Sequence, residues 1–152
     1  MEEEEFRQLC SKKSLDFGKI KLLIQSGIDV NGKNNKGWNA LHFLCCNNSS
    51  EKLIDAIKLL IQLGIDMNGK NNYGNNALHL LCANNSSEKL IDAIKLLIQS
   101  GIDITFHDGV KAKILLRRNS NLTQKKELVN DIIKLIDRAV ADRASDSRCN
   151  IM

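Results

Sequence analysis

Residues 31–67 read NGKNNKGWNALHFLCCNNSSEKLIDAIKLLIQLGIDM, and residues 68–104 follow directly as the near-copy NGKNNYGNNALHLLCANNSSEKLIDAIKLLIQSGIDI. The period is 37 residues, and six positions differ between the two copies. A unit of this size cannot bury its apolar face alone and must pack against copies of itself. The repeat therefore predicts a stack of small structural units within one domain.

Each copy predicts two helices joined by a polar turn. In the first copy a short helix is expected over about residues 39–46, and a longer helix ends before Gly64. The apolar residues of the longer helix recur at steps of three and four residues, which is typical of a helix with one buried face. These residues are Leu53, Ile54, Ile57, Leu60 and Ile61. Ser49 or Ser50 is expected to cap this helix, and Gly64 is expected to adopt a left-handed conformation after its end.

The two copies resemble the ankyrin-repeat family, in which a hairpin turn precedes two antiparallel helices. The family pattern T-P-L-H-x-A corresponds to residues 39–44 and 76–81, and the closing pattern L-L-x-x-G-A-D-x-N to residues 60–68 and 97–104. The chain departs from the family in having no proline, in using Asn for Thr at the helix cap, and in lengthening the turn between the helices at residues 49–52. The resemblance implies an all-α fold, an ankyrin-type solenoid of stacked helix-turn-helix repeats with short hairpin loops.

Four units and a tail are predicted for the whole chain. Residues 22–30 repeat the closing pattern one period earlier, after a candidate helix that holds Phe6, Leu9 and Cys10. Residues 110–118 and 123–141 indicate a degenerate last helix pair with a polar outer face. The predicted ankyrin-repeat domain spans residues 1–141, with a capping repeat 1–30, repeats 31–67 and 68–104, and a capping repeat 105–141. A flexible polar tail is predicted over residues 142–152.

Charge and composition restrict the class of protein. The net charge of +4, with acidic residues interrupting the basic ones near the C-terminus, is too mild to indicate a nucleic-acid partner. The N-terminus MEEEEF lacks the features of a signal peptide, and no apolar run is long enough for a membrane span. Five cysteines without framework spacing favour a reducing compartment. We expect a cytoplasmic protein, with the cytosolic face of a membrane as a second location.

Two His/Cys pairs are the strongest candidates for chemistry. His42 and Cys45, like His79 and Cys82, are three residues apart and share a helix face, so each pair could supply half a metal site or an enzyme's thiol and base. No further ligand pattern, catalytic triad, carboxylate dyad or phosphate-binding loop accompanies them. The resemblance implies that the histidine bonds backbone between adjacent hairpins and that the cysteine fills a small buried position. The sequence thus predicts a non-enzymatic protein without catalytic residues, metal, cofactor or small-molecule substrate.

Differences between the copies indicate a surface for a protein partner. Phe43/Leu80 and Met67/Ile104 exchange apolar residues and are interpreted as core adjustments. Three other differences change chemical character, and the resemblance places them at hairpin tips and inner helices, where family members contact partners. The predicted partner-binding residues are Lys36, Trp38, Cys46, Asn47, Tyr73, Asn75, Ala83 and Asn84.

Trp38 has two possible roles. As an exposed anchor it would contribute binding energy, and Trp38→Ala would weaken partner capture while leaving thermal unfolding nearly unchanged. As a lid folded over the preceding hairpin, it would instead contribute mainly to stability.

Residues 149–152, CNIM, fit the C-a-a-X prenylation motif, with Met favouring farnesyl on Cys149. One lipid chain gives only reversible membrane binding, so a second attachment would be needed. The predicted function is a monomeric, non-enzymatic protein-protein interaction module, prenylated at Cys149 and acting as a membrane-associated adaptor or sequestering protein. The alternative is a soluble stoichiometric inhibitor of a signalling protein, kinase-inhibitor-like or IκB-like, without a lipid anchor.

Overall fold

A computed structural model of the chain describes residues 2–47 and 51–149. The helices, in chain order, are α1 (Glu2–Ser11), α2 (Phe17–Gln25), α3 (Ala40–Asn47), α4 (Leu53–Gln62), α5 (Ala77–Asn84), α6 (Leu90–Gln99), α7 (Phe106–Arg118) and α8 (Lys126–Cys149). A short 3-10 turn, Ser120–Leu122, lies between α7 and α8. Within the described ranges the regular elements are all helical, which confirms the predicted fold class.

The helices pack in two rows. Helices α1, α3, α5 and α7 contact one another in chain order, and α4, α6 and α8 form a second row in the same order. Each first-row helix also contacts the helix that follows it in the chain. The near-identical copies are therefore neighbouring helix pairs in a serial stack.

The core lies between the two rows and uses the same positions in both copies. Each of these positions is at most 2% exposed: Leu41 and Leu78, Leu44 and Leu81, Ile57 and Ile94, Leu60 and Leu97. Burying one such side chain stabilises the fold by about 1.5–3 kcal/mol. The predicted stripe of α4 is confirmed at Leu53, Ile57 and Leu60, which are buried, while Ile54 and Ile61 are half-buried.

Asparagine side chains connect each repeat to the next. Asn31 Oδ1 accepts the N–H of Asp66 at 2.6 Å, and Asn31 Nδ2 donates to the carbonyl of Gly64 at 3.1 Å. One repeat later, Asn68 Oδ1 accepts the N–H of Asp103 at 2.7 Å. These bonds satisfy backbone groups in the segments that follow α4 and α6.

The starts of the helices agree only in part with the sequence prediction. Asn76 caps α5, since its Oδ1 accepts the N–H of His79 at 3.1 Å. The residue before α4, Lys52, makes no side-chain capping bond, and Ser49 and Ser50 lie outside the described residues. In the matched α6 the hydroxyl of Ser87 does not cap the helix either. Its carbonyl oxygen accepts the N–H of Leu90 at 3.1 Å instead.

The last unit differs from the prediction at three helix ends, one of which is the start of α8 at Lys126 instead of residue 123. Helix α7 begins at Phe106, four residues before the predicted start, because Thr105 and Asp108 form a reciprocal capping box. Helix α8 continues to Cys149, so residues 142–149 are helical where a flexible tail was predicted. This segment contains no glycine or proline that would end a helix. In addition, Arg143 donates to the carbonyl of Ile102 at 3.0 Å and fixes the segment against the preceding repeat.

The outer surface of the last unit is not wholly polar. Lys125, Lys126, Asp131, Lys134 and Arg138 are exposed, as predicted for an end of a stack. On α7, however, Phe106, Val110 and Ile114 are exposed at four-residue spacing. They follow one side of the helix, which has no further inner helix packed on it within the described residues.

Candidate protein-binding groove

The two histidines connect neighbouring repeats through backbone groups. His42 Nδ1 accepts the N–H of Asn39 at 3.1 Å, and its Nε2 lies 2.9 Å from the carbonyl oxygen of Gly69. His79 repeats the arrangement, with Nε2 3.1 Å from the carbonyl oxygen of Asp108. Because each Nδ1 accepts a hydrogen bond, the ring proton is on Nε2 and each neutral histidine donates into the next repeat.

Burial lowers the pKa of both histidines, although the hydrogen bonds to Gly69 and Asp108 act in the opposite direction. A buried, neutral histidine with both ring nitrogens bonded is suited to holding two repeats together. The structural role implied for His42 and His79 is therefore confirmed.

The paired cysteines are poorly suited to chemistry. Cys45 and Cys82 are completely buried, and burial raises the pKa of the Cys82 thiol to about 12 and that of Cys45 well above its usual range. The thiolate is the nucleophile and the metal ligand, so both residues act as small apolar side chains. Among residues 2–47 and 51–149, no group of three His, Cys, Asp or Glu side chains could hold a metal ion.

A tight turn before α3 positions Lys36 and Trp38. Gly37 N–H donates to the carbonyl of Asn34 at 2.9 Å, and Asn34 Oδ1 accepts the N–H groups of Lys36 and Trp38 at 3.0 Å each. Gly37 has a φ of +76°, and a Cβ atom there would lie 2.8 Å from Asn72 Oδ1. The turn thus requires glycine, and it holds the side chain of Lys36 in solvent while Trp38 packs on α3.

Trp38 forms one side of an aromatic groove. Its ring centroid is 5.2 Å from that of Phe43, with the ring planes inclined by 48°. The groove has a volume of about 510 Å³ and joins the turn, α3 and the tip of the following turn. It is lined by Asn34, Asn35, Lys36, Trp38, Phe43, Cys46, Asn47 and Tyr73.

Five of the eight predicted binding residues meet in this groove: Lys36, Trp38, Cys46, Asn47 and Tyr73. The other three do not line it. Asn75 is half-buried and its carbonyl oxygen lies 3.2 Å from His42 Nε2, so it belongs to the contact between repeats. Ala83 is half-buried, and Asn84 is exposed with its Nδ2 donating to the carbonyl of Leu80 at 3.1 Å.

The position of Trp38 differs from the predicted exposed tip. The residue is half-buried, and its ring packs on Phe43 and lies 6.2 Å from the His42 ring, centroid to centroid. It is therefore a wall of the groove in its own repeat, rather than a lid over the preceding hairpin. Its indole Nε1 is buried and finds no hydrogen-bond partner among the described residues. Tyr73, by contrast, is 64% exposed, as predicted.

Phe43, which the exchange for Leu80 predicted to be a core residue, lines the groove. Its counterpart Leu80 is only 5% exposed, whereas Phe43 is half-buried and packs against Trp38. The sequence contained a signal for this role, because positions 38 and 43 are both aromatic in the first copy, whereas positions 75 and 80 in the second copy are not. The prediction for Met67/Ile104 is also only half right, since Ile104 is buried and Met67 is half-buried.

The groove has a single charged lining residue. Lys36 is exposed and makes no ion pair within the described residues, and no acidic side chain lines the groove. Asparagine amides occupy the remaining polar rim. The arrangement can accept an apolar side chain between the aromatic walls and an acceptor or anion at the rim.

A comparison of the sequence with models of protein families identifies the family of this chain. A family model described as ankyrin repeats, in three copies, matches residues 8–108, which is more than half of the chain. The chain belongs to the ankyrin-repeat family. The groove lies inside the matched range, and most of α7 and all of α8 follow it. Ankyrin repeats indicate a protein-protein interaction module, and the family is typically non-enzymatic. A comparison with curated proteins gave no match.

Two further observations concern the membrane prediction. Among the described helices, none is both long and apolar enough to cross a bilayer. Cys149, the predicted lipidation site, is the last residue of α8, and residues 150–152 of the motif lie outside the described residues.

Proposed function

We propose that this ankyrin-repeat protein acts as a monomeric binding module that holds a protein partner in the Trp38–Phe43 groove. The observation that carries the proposal is that five of the eight residues predicted to bind a partner line one groove, together with Phe43. Aromatic walls with an exposed tyrosine beside them are typical of binding anchors. The same positions in the next repeat hold Asn75 and Leu80, so the groove is specific to one repeat.

Two neighbouring repeats contribute to the groove. Tyr73 comes from the second hairpin, whereas Trp38 and Phe43 belong to the first full repeat. The turns are held in register by the hydrogen bond from Asn72 N–H to the carbonyl of Lys36 at 3.0 Å. Binding therefore depends on the assembled stack rather than on one repeat alone.

Site-specific photo-crosslinking tests this proposal. Benzoylphenylalanine placed at Tyr73 should form a crosslink to a partner in cells, and the added change Trp38→Ala should abolish it. Phe106 on α7 is the matched control, because it is an aromatic residue 70% exposed and lies outside the groove. Equal crosslinking from both positions, or crosslinking from residue 73 that survives Trp38→Ala, would contradict the assignment of the groove.

The more detailed role follows from Cys149. We propose prenylation of this residue and an adaptor or sequestering role at a membrane, with a soluble inhibitor as the alternative. Because α8 ends at Cys149, the lipid would be attached to the last residue of a helix. Intact-mass measurement of the protein expressed in eukaryotic cells, compared with Cys149→Ser, separates the two roles. A farnesyl adduct lost in the variant supports the adaptor, and unmodified protein supports the inhibitor.

A further inference from the structure

We infer that the partner presents a short acidic peptide segment, in which an aspartate or glutamate lies within about two residues of a bulky apolar side chain. This inference rests on the proposed function and specifies its ligand. The apolar side chain would occupy the space between Trp38 and Phe43, and the carboxylate would lie at the rim beside Lys36.

The size and walls of the groove determine the apolar half of the ligand. The groove is open to solvent, and its volume of about 510 Å³ is large enough for one bulky side chain with its adjoining backbone. The inclined rings of Trp38 and Phe43, with Cys46 beside them, offer an apolar and polarisable surface. Aromatic and long aliphatic side chains gain the most from such walls.

The charges of the first hairpin determine the acidic half. Lys33 and Lys36 are both exposed, and neither forms an ion pair with any described residue. In the second hairpin the counterpart of Lys33 is Lys70, which does form an ion pair, because its Nζ lies 2.9 Å from Asp108 Oδ1. The fold thus neutralises the lysine of one hairpin and leaves the hairpin beside the groove with two uncompensated positive charges.

The remaining rim favours a peptide over a compact anion. Asn35 and Asn47 are exposed and present amide groups, which both donate and accept hydrogen bonds and so suit a peptide backbone. Asn34 has only its Nδ2 to offer, because its Oδ1 already accepts the N–H groups of Lys36 and Trp38. A phosphate site would be expected to gather several cations, whereas one lysine lines this groove. One carboxylate is the charge that the rim can balance.

A displayed library of random peptides is the probe for this inference. It would be selected against the wild-type protein, Lys36→Glu, and the control Lys58→Glu, whose lysine is exposed on α4 outside the groove. Wild type and Lys58→Glu should select peptides with Asp or Glu close to an apolar residue. Lys36→Glu should lose this acidic preference.

Affinity measurements with the best selected peptide make the test quantitative. Lys36→Glu should weaken binding about ten-fold, because an attraction at an exposed site is replaced by a repulsion, while Lys58→Glu should stay within about two-fold. Binding to wild type should also weaken as the salt concentration rises.

Two failures have different meanings. In the first, the selected peptides bind the wild type and Lys36→Glu equally well, show no acidic preference and do not bind Tyr73→Ala. This result would overturn the inference of an acidic ligand but would still support the groove as the binding site. Selected peptides that bind Tyr73→Ala and Trp38→Ala as tightly as wild type would overturn the proposed function as well. Tyr73 is largely exposed, so its replacement leaves the fold intact and keeps the second result interpretable.

Discussion

Acidification below about pH 6.5 is expected to destabilise the stack through His42 and His79. Burial lowers the pKa of both residues in the folded protein, from an ordinary value of 6.5. In the unfolded chain the same histidines titrate at that ordinary value. Below it the unfolded state binds more protons than the folded state, and proton binding therefore favours unfolding. Their contribution to stability is complete above pH 6.5 and is lost as the pH falls toward the folded pKa.

The size of the effect follows from the number of protons taken up. Each histidine that is neutral when folded and charged when unfolded contributes at most about 1.4 kcal/mol per pH unit, and two contribute about 2.7 kcal/mol per pH unit. Asp108 acts in a separate window. Burial would raise its pKa, but hydrogen bonds from Lys70 and Thr105 outweigh burial and lower it below 3.8. The stability that Asp108 contributes is therefore lost only at more acidic pH.

Urea unfolding followed by circular dichroism at pH 7.5, 6.5 and 5.5 measures this dependence. The free energy of unfolding should fall steeply between the last two values in the wild type. His107→Gln is the control, because His107 is exposed on α7, and it should keep the wild-type slope. The double variant His42→Gln/His79→Gln should be less stable at pH 7.5 but should lose most of the slope. A flat wild-type profile, or an unchanged slope in the double variant, would refute the linkage.

Two further predictions concern packing, and both are measured by urea unfolding. Trp38→Phe should cost less than about 1.5 kcal/mol because the buried Nε1 has no hydrogen bond to lose. Trp38→Ala removes a half-buried ring and should cost more than Trp38→Phe, about 1–3 kcal/mol. Equal costs for the two variants would contradict this account of the groove wall. Gly109→Ala should cost about 1–3 kcal/mol, because its Cβ would lie 2.7 Å from Val140 Cγ2. Val140→Ala in the same chain should recover part of the loss, and strictly additive costs would show that the two sites do not interact.

The features that recur with the repeat were predictable from the sequence. The apolar positions of α4 and the cap at Asn76 depend on local pattern, and the two copies present that pattern twice. The role of His42 and His79 came from the family resemblance, and the structure shows the bonds that it implied. Such features need no knowledge of distant parts of the chain.

The predictions that were wrong concern residues whose contacts are with distant parts of the chain. A polar composition after residue 141 suggested a flexible tail, but the bond from Arg143 to the carbonyl of Ile102 joins residues 41 positions apart. Asn75 looked like a surface residue because it replaces a tryptophan, yet its carbonyl oxygen lies against His42 in the preceding repeat. Neither partner can be identified from local sequence, since each is chosen by the way successive repeats stack.

The groove shows how a repeat protein can acquire a specific site with few changes. Because residues 31–67 and 68–104 are nearly identical, the backbone of the second repeat is expected to follow that of the first, and the turns before α3 and α5 do share their hydrogen bonds. The chemical difference between the two sites then comes from side chains alone. Trp38 and Phe43 pack together in one repeat, while their counterparts are the half-buried Asn75 and Leu80, which is only 5% exposed. A binding surface is therefore expected where two residues that contact each other both differ from their counterparts in an otherwise matched repeat. Trp38 and Phe43 meet this criterion, which predicts that Phe43 is a groove residue.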